Sequence, residues 1–315
     1  MIKFRRFEFA LLFSSFVFLT FGCTAATRSR MMVDGMKPMM EKMNIAVNQN
    51  PDVETVRKAM PASLVQLDGF IEVSPDNEDI LLRAAEAYGG YAFLFIEDTN
   101  RKRAANLHKK ARDYALRVLK HNPAFNDALG KSNDEYSAAL QTLTKEDARA
   151  LFFATNSWMS WIGLSYHYNT RGGVDVPKVL LMLDKLLELD ETFNYGAPHA
   201  LAAVYNAARP ISAGGNPDKA KYHFKKAFEI SESKFLIWHY LYAKYYAVQN
   251  QNRKLFVSTL KDIISAPVDL LPEKRFANEA VKLKAKHLLS KADMLFNCEN
   301  PEMAVFSYIM AEKEY

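Results

Sequence analysis

Apolar residues in this chain recur at the period of an α-helix almost everywhere. Leu81, Ala85, Tyr88, Ala92 and Phe95 follow one another at spacings of four, three, four and three, and Leu107, Ala111, Tyr114 and Val118 repeat the rhythm. Each set falls on one helical face. No segment alternates apolar and polar residues between hairpin turns, so strands gain no support. The pattern predicts an all-α protein. Boundary signals stand where helix ends are needed: SPDN at 74–77, HNP at 121–123, GGNPD at 214–218 and SAP at 265–267. Asp and Ser side chains cap first-turn amides, and proline is tolerated in a first turn.

The rhythm is organised into degenerate repeats. A tetratricopeptide repeat places Trp, Leu, Gly and Tyr at offsets 0, 3, 4 and 7 of its first helix, with small and bulky residues interleaved on the second. Trp238, Leu241, Tyr242 and Tyr245 fit, with Tyr in the glycine position. Pro198, Leu201, Ala202 and Tyr205 fit 40 residues earlier, Trp158, Trp161, Ile162 and Ser165 another 40 earlier, and Leu81, Ala84, Ala85 and Tyr88 a further 77. Second helices answer with Ala220, Phe224 and Ala227; Val179, Leu183 and Leu186; Phe256, Leu260 and Ile263. A period above the usual ~34 puts extra residues in loops such as RPISAGGNP. The expected architecture is a stack of antiparallel helical hairpins, degenerate tetratricopeptide-like repeats, with additional N- and C-terminal helices. Its expected bounds are 51–270 for the repeat domain, 23–50 for a tether and first helix, and 271–315 for C-terminal packing helices.

Residues 1–22 have the layout of a signal peptide. Lys3, Arg5 and Arg6 precede an apolar run from Phe9 to Phe21 that ends in Gly22-Cys23. Thirteen helical residues cover about 20 Å against the ~30 Å hydrocarbon core, which disfavours a spanning helix. Ending in Gly-Cys, the run resembles a bacterial lipoprotein signal, in which Cys23 becomes the acylated first residue and the lipid anchor. Thr20 stands where that signal usually has leucine, with Leu19 one residue further out; an ordinary signal peptide is the alternative. Removing residues 1–22 takes away three basic residues and one acidic one, lowering the formal charge from +5 to +3. No dense basic stripe remains, so nucleic acid is not an expected partner. Beyond Cys23 the sequence has only Cys298, and acylation of Cys23 leaves no intrachain disulfide to form. Stability must come from packing.

Read in order, the hairpins carry a broader likeness. PDVETVRKAMPASLVQLDGFIEVSPDNEDILLRAAEAYGGYAFLFIED at 51–98, ATNSWMSWIGLSY at 154–166 and YGAPHALAAVYNAARPISAGGNPDKAKYHFKKAFEIS at 195–231 together resemble the TatT family. Its members are helical lipoproteins with tetratricopeptide-like repeats that are associated with tripartite ATP-independent periplasmic (TRAP) transporters. The resemblance covers roughly residues 50–265. It implies a homotrimer, an apolar pore or cleft through the helices, and docking of a periplasmic solute-binding protein. It also implies a lipid-anchored place in the bacterial envelope, facing the periplasm. Thr24, rather than aspartate, after Cys23 favours the outer membrane.

Several residue sets invite sharper roles. Met31, Met32, Met36, Met39, Met40 and Met43 put six thioethers within thirteen residues; soft sulfur suits Cu(I), but the three-and-four spacing also makes a packing stripe, which is the plainer reading. Seven histidines are scattered without HExxH or a partner cysteine, so no metal or other cofactor is expected. Gly214 and Gly215 lack the Lys-Ser/Thr of a phosphate loop and read as a turn. The rings Tyr88, Tyr91, Phe95, Trp158, Trp161, Trp238 and Tyr242 suit either simple core or the lining of an apolar ligand pocket on the first helices. Arg209 would stand at such a pocket's mouth or cap its own helix. Ile211, Gly214, Gly215 and Asn216 are the candidate partner loop. With no nucleophile beside a base and no paired carboxylates in a turn, an enzyme is not expected. Two functions compete: an accessory subunit that docks a solute-binding protein, and a general envelope scaffold for assembly or cell-wall factors. They differ in what copurifies.

Overall fold

The computed structural model describes residues 25–166 and 172–296; the expected leader, Cys23 and residues 297–315 lie outside the described residues. Among the described residues the protein is all helical, with fifteen α-helices and no strand. The first pair is α1 (Ala25–Gly35) and α2 (Lys37–Asn48), followed by the long α3 (Val53–Val73), α4 (Glu78–Tyr91) and α5 (Arg101–Leu119). Two short helices, α6 (Pro123–Ala128) and α7 (Asn133–Leu140), lead to α8 (Ala148–Ser165) and α9 (Gly172–Asp190). Then come α10 (Phe193–Ala207), α11 (Pro217–Ile230), α12 (Leu236–Leu241), α13 (Arg253–Ser265), α14 (Arg275–Leu289) and α15 (Ala292–Phe296).

The boundaries follow the sequence signals. Asn77 accepts from the Ile80 amide at the start of α4, Asn122 from Phe125 ahead of α6, and Asn216 from Lys219 ahead of α11. Pro123 and Pro217 occupy the first turns those caps open. Asn, rather than the Asp or Ser of the same motifs, supplies the capping oxygen, worth about 1 kcal/mol per helix. At SAP, α13 stops at Ser265.

Consecutive helices pack in pairs: α3 with α4, α4 with α5, α8 with α9, α10 with α11, and α13 with α14. The α4–α5 and α8–α9 pairs are joined by a long α5–α8 contact. Alanine makes that approach possible, since Ala104, Ala111 and Ala115 of α5 and Ala154 of α8 are fully buried. The second-helix positions face inward, with Ala220, Phe224 and Ala227 completely buried on α11 and Phe256 and Leu260 on α13. One core runs from α1 to α12, and a second, around Tyr240, Phe256, Leu260, Val281 and Leu288, lies under α12–α15.

Two local features escape the helical period. At the start of α10 the backbone turns through Asn194, Tyr195 and Gly196, all with positive φ, before the regular helix over 197–207. A Cβ on Gly196 would lie 3.2 Å from Ala227 Cα and from Ile230, so glycine meets both the backbone sign and the close approach of α11. The methionine stripe packs only in part: Met40 is buried and Met36 half-buried, whereas Met31, Met32, Met39 and Met43 are exposed. No helix of the described residues is long and apolar enough to cross a membrane.

The last long helix returns to the first ones. Phe276 and Ala280 of α14 pack with Val53 and Val56 of α3, and Arg275 donates to the Gln49 carbonyl at 3.0 Å. Asn278, fully buried, accepts from the Leu236 amide at 3.0 Å and donates to the Lys234 carbonyl at 2.9 Å. One helix thus fastens the chain before α3 to the start of α12.

Candidate functional site

The most unusual chemistry in the fold lies where two helices widen into π turns. α4 continues as a π turn over Ala92–Ile96, in which the Glu97 amide reaches back to the Ala92 carbonyl at 2.9 Å. α12 does the same over Tyr242–Ala247. Such turns bulge one residue out of the ladder and recur at functional sites. Here the bulge is used: Lys284 of α14 donates to the Phe93 carbonyl at 2.8 Å and ion-pairs with Asp98, while Lys244 of the second π turn lies 3.8 Å from the other Asp98 oxygen. Glu97, next in sequence, accepts from His108 Nε2 at 2.8 Å.

All five side chains are largely withdrawn from water, Lys284 at 4 % exposure and Glu97 at 10 %. Burial works to raise the pKa of both carboxylates. For Glu97 the hydrogen bond with His108 and the charges of Lys244 and Lys284 outweigh it and hold the group below its ordinary range. For Asp98 the charges of Lys244 and Lys284 and the Lys284 hydrogen bond do the same. The cluster therefore carries two carboxylates against two ammonium groups and clamps both π turns to α14. Sequence reading missed it because Asp98 and Lys284 are 186 residues apart; the local signal was an acidic pair closing the apolar run YAFLFIED.

Beside it, Ser157 and His108 both border Gly89, whose Cβ would sit 3.5 Å from Ser157 Oγ and 4.0 Å from His108 Nδ1. With Glu97 they have the composition of a nucleophile, base and acid. Ser157 and His108 are each 1 % exposed, so the set is sealed in the core and reads as structural. Among the described residues no three His, Cys, Asp or Glu side chains converge as a metal site.

The ring candidates divide among separate surroundings. Tyr88 is buried; its hydroxyl donates to Asp68 at 2.7 Å, and Tyr114 and Lys110 donate to the same carboxylate at 2.7 and 2.6 Å. Burial opposes ionisation of Asp68, but those three donors, Lys110 foremost, keep it below the usual carboxylate range; Tyr114 is pushed up to about 12 by burial and by Asp68. Tyr91 stacks obliquely on Phe95, their centroids 6.0 Å apart, and Phe95 meets Phe276 of α14. Trp158 and Trp161 flank the Arg112 guanidinium at 5.1 and 4.7 Å, and the Trp158 N–H points to Asp175 at 3.3 Å. Trp238 is buried against Phe235 and donates to the Tyr195 carbonyl at 2.8 Å. Tyr242 packs edge-on against Phe224 and stacks on Tyr246.

Arg209 folds back on the end of its own helix. It lies 3.7 Å over the Tyr205 ring, and its guanidinium donates to the Tyr205 and Gly214 carbonyls, both at 3.2 Å. The partner-loop candidates are braced by it. The Gly215 amide returns to the Pro210 carbonyl at 3.0 Å and the Asn216 amide to Asn206 at 3.0 Å. Gly214 has φ +83°, and a Cβ on Gly215 would collide with the Arg209 carbonyl, so both glycines are required by this turn. The loop is held on both sides yet presents Ile211 at 73 % exposure, and Tyr222 on α11 is also exposed. Behind it, His199 and His223 touch through Nδ1 at 2.9 Å across α10 and α11, with Glu191 on the far side of His199. Burial, then the charges of His199 and Lys219, lower His223 to about 4.

Comparison with curated proteins finds no match. The family model described as TRAP transporter T-component matches residues 49–296, taking in α3 to α15, both π turns, the braced loop and all but one of the sequence-predicted site residues. The chain belongs to the TRAP transporter T-component family.

Proposed function

We propose that this T-component is a docking subunit: it holds a periplasmic solute-binding protein of a TRAP transport system beside the membrane, tethered by lipid on Cys23. Membership of the family places the protein with TRAP transport as an accessory component of the cell envelope. The observation that carries the docking role is the loop 209–216. A loop braced by Arg209, Gly215 and Asn216 that still presents Ile211 to solvent loses little freedom when a partner covers it, and that saving is what makes a preorganised surface bind. The exposed Tyr222 adds an aromatic contact of the kind interfaces favour.

Tyr88, Trp158 and Trp238 are engaged through their polar atoms, and Tyr91, Phe95 and Tyr242 through ring contacts.

The test is a crosslinking pull-down from intact envelopes with the wild-type chain, Ile211→Asp and Cys23→Ser. Wild type should retain a solute-binding protein, and Ile211→Asp should lose it with unchanged folding. Cys23→Ser should leave the membrane fraction, because firm retention needs more than one acyl chain. Recovery of the same partner by Ile211→Asp at wild-type yield would remove the loop from the interface. Unchanged membrane fractionation of Cys23→Ser would remove the anchor.

A further inference from the structure

The exposed methionines lie on helices that are fixed to the body. Val33 and Met40 are buried, and Asp34 accepts from Ser74 Oγ at 2.9 Å and Asn77 Nδ2 at 2.6 Å. The outward side of α1 and α2 therefore has a defined direction. On it stand Met31, Met32, Met39 and Met43, exposed by 53, 72, 50 and 54 %. Met39 and Met43 are one helical turn apart and share a face.

Charge on the same pair is lopsided. Arg28, Lys37 and Lys42 are exposed, against Glu41; Arg30 lies with Asp34 beside Ser74 and Asn77. Flexible apolar side chains among basic ones are the composition of a helix that lies in a lipid interface. Position along the chain selects that occupant. Residue 25, where α1 begins, is two residues beyond Cys23, a span of about 7 Å at most.

We propose that the outward face of α1 and α2 is a lipid-binding surface, seated on anionic headgroups with its methionines in the acyl boundary, and that it sets the orientation of the domain on the membrane. This rests on the reading of Cys23 as the anchor, and adds to that anchor a second, orienting contact.

The chain from residue 23 onward, carrying Cys23→Ser, isolates this contact from acylation. It is mixed with vesicles of phosphatidylethanolamine containing a quarter phosphatidylglycerol, and read by cosedimentation and by the rate at which hydrogen peroxide oxidises each methionine. We expect salt-sensitive binding, with Met32, Met39 and Met43 slowed by vesicles. Replacing Met31, Met32, Met39 and Met43 together by Ser should weaken binding about tenfold with an unchanged thermal melt. Absence of sedimentation, or oxidation rates indifferent to vesicles, overturns the proposal. So does protection of the same methionines without lipid in a multimer seen by light scattering, which would make the face a contact between copies. Mass spectrometry of wild-type Cys23 for acyl groups reads the anchor separately, so failure of either reading is distinguishable from failure of the other.

Discussion

A carboxylate withdrawn from water stays ionised only with partners, and Asp98 depends on two lysines contributed by helices far along the chain. Breaking such a pair leaves one charge buried and uncompensated, which costs about 3 to 5 kcal/mol, whereas replacing both partners costs much less. Lys284→Met should therefore lower stability in urea by that amount at neutral pH, and Asp98→Asn with Lys284→Met should recover a good part of it. A double-variant loss equal to the sum of the losses from Lys284→Met and Asp98→Asn measured singly would show that the pair is not coupled. The pH dependence carries a sign. Both Glu97 and Asp98 have folded pKa values below ordinary, so their contribution is present above the unfolded value near about 4 and is lost as pH falls through the folded values. Wild-type urea midpoints should fall on acidification below about pH 5, and Lys284→Met, which removes one of the charges that hold the folded pKa values down, should make that fall smaller. Residue identities at this site were plain in the sequence, but their convergence was not. Helical period reports which face of its own helix a residue occupies; it carries no information on which helix stands opposite. Tyr88 and Trp158 were legible as inward-facing for the same reason that Lys284 was not legible as the partner of Asp98.

At the scale of elements, local chemistry did most of the work. Asn77, Asn122 and Asn216 open helices within the motifs read as boundaries, because a cap is a contact over three residues. The π turns and the Asn194–Gly196 turn were not legible, since both are set by what packs against them: Lys284 takes the carbonyl freed in the first, and α11 crowds the second. The α10–α11 crossing offers a sharp test of register. Ala227 is fully buried, with the Gly196 Cβ position 3.2 Å from its Cα. Ala227→Leu should overpack the crossing, costing about 1 to 3 kcal/mol and lowering the melting temperature by several degrees. Its neighbour Lys226 is 41 % exposed in a loose pair with Glu229 at 3.8 Å, and Lys226→Ala should change stability by less than about 0.5 kcal/mol. A larger loss from Lys226→Ala than from Ala227→Leu in calorimetry would reverse the assigned faces.

Across the whole molecule, family membership and an all-α build were legible in the sequence, the first through ordered segments such as 195–231 and the second through periodicity. Less visible was what the C-terminal packing helices would pack against. α14 touches α2, α3, α12, α13 and the first π turn. Truncation after residue 270 would uncover Val53 and Val56, leave the Leu236 amide without its partner and take Lys284 away from Asp98. The shortened chain should lose its cooperative melt and sediment as aggregate, whereas a simple stack would lose only its terminal pair. A soluble truncated form with a sharp transition would show that α14 is dispensable.

The return of α14 also bears on how such a protein can diversify. An open stack lengthens by duplicating a hairpin, because each new unit needs only one neighbour and every earlier interface is left as it was. Here an inserted hairpin would move α12 and α13 away from α3, and the side chains of α14 could no longer reach both. The number of hairpins is locked by the seam. Change is then confined to connections that face outward and cross no interface, and the segment 209–216, bounded by its own hydrogen bonds, is one that can be exchanged while the frame stays fixed.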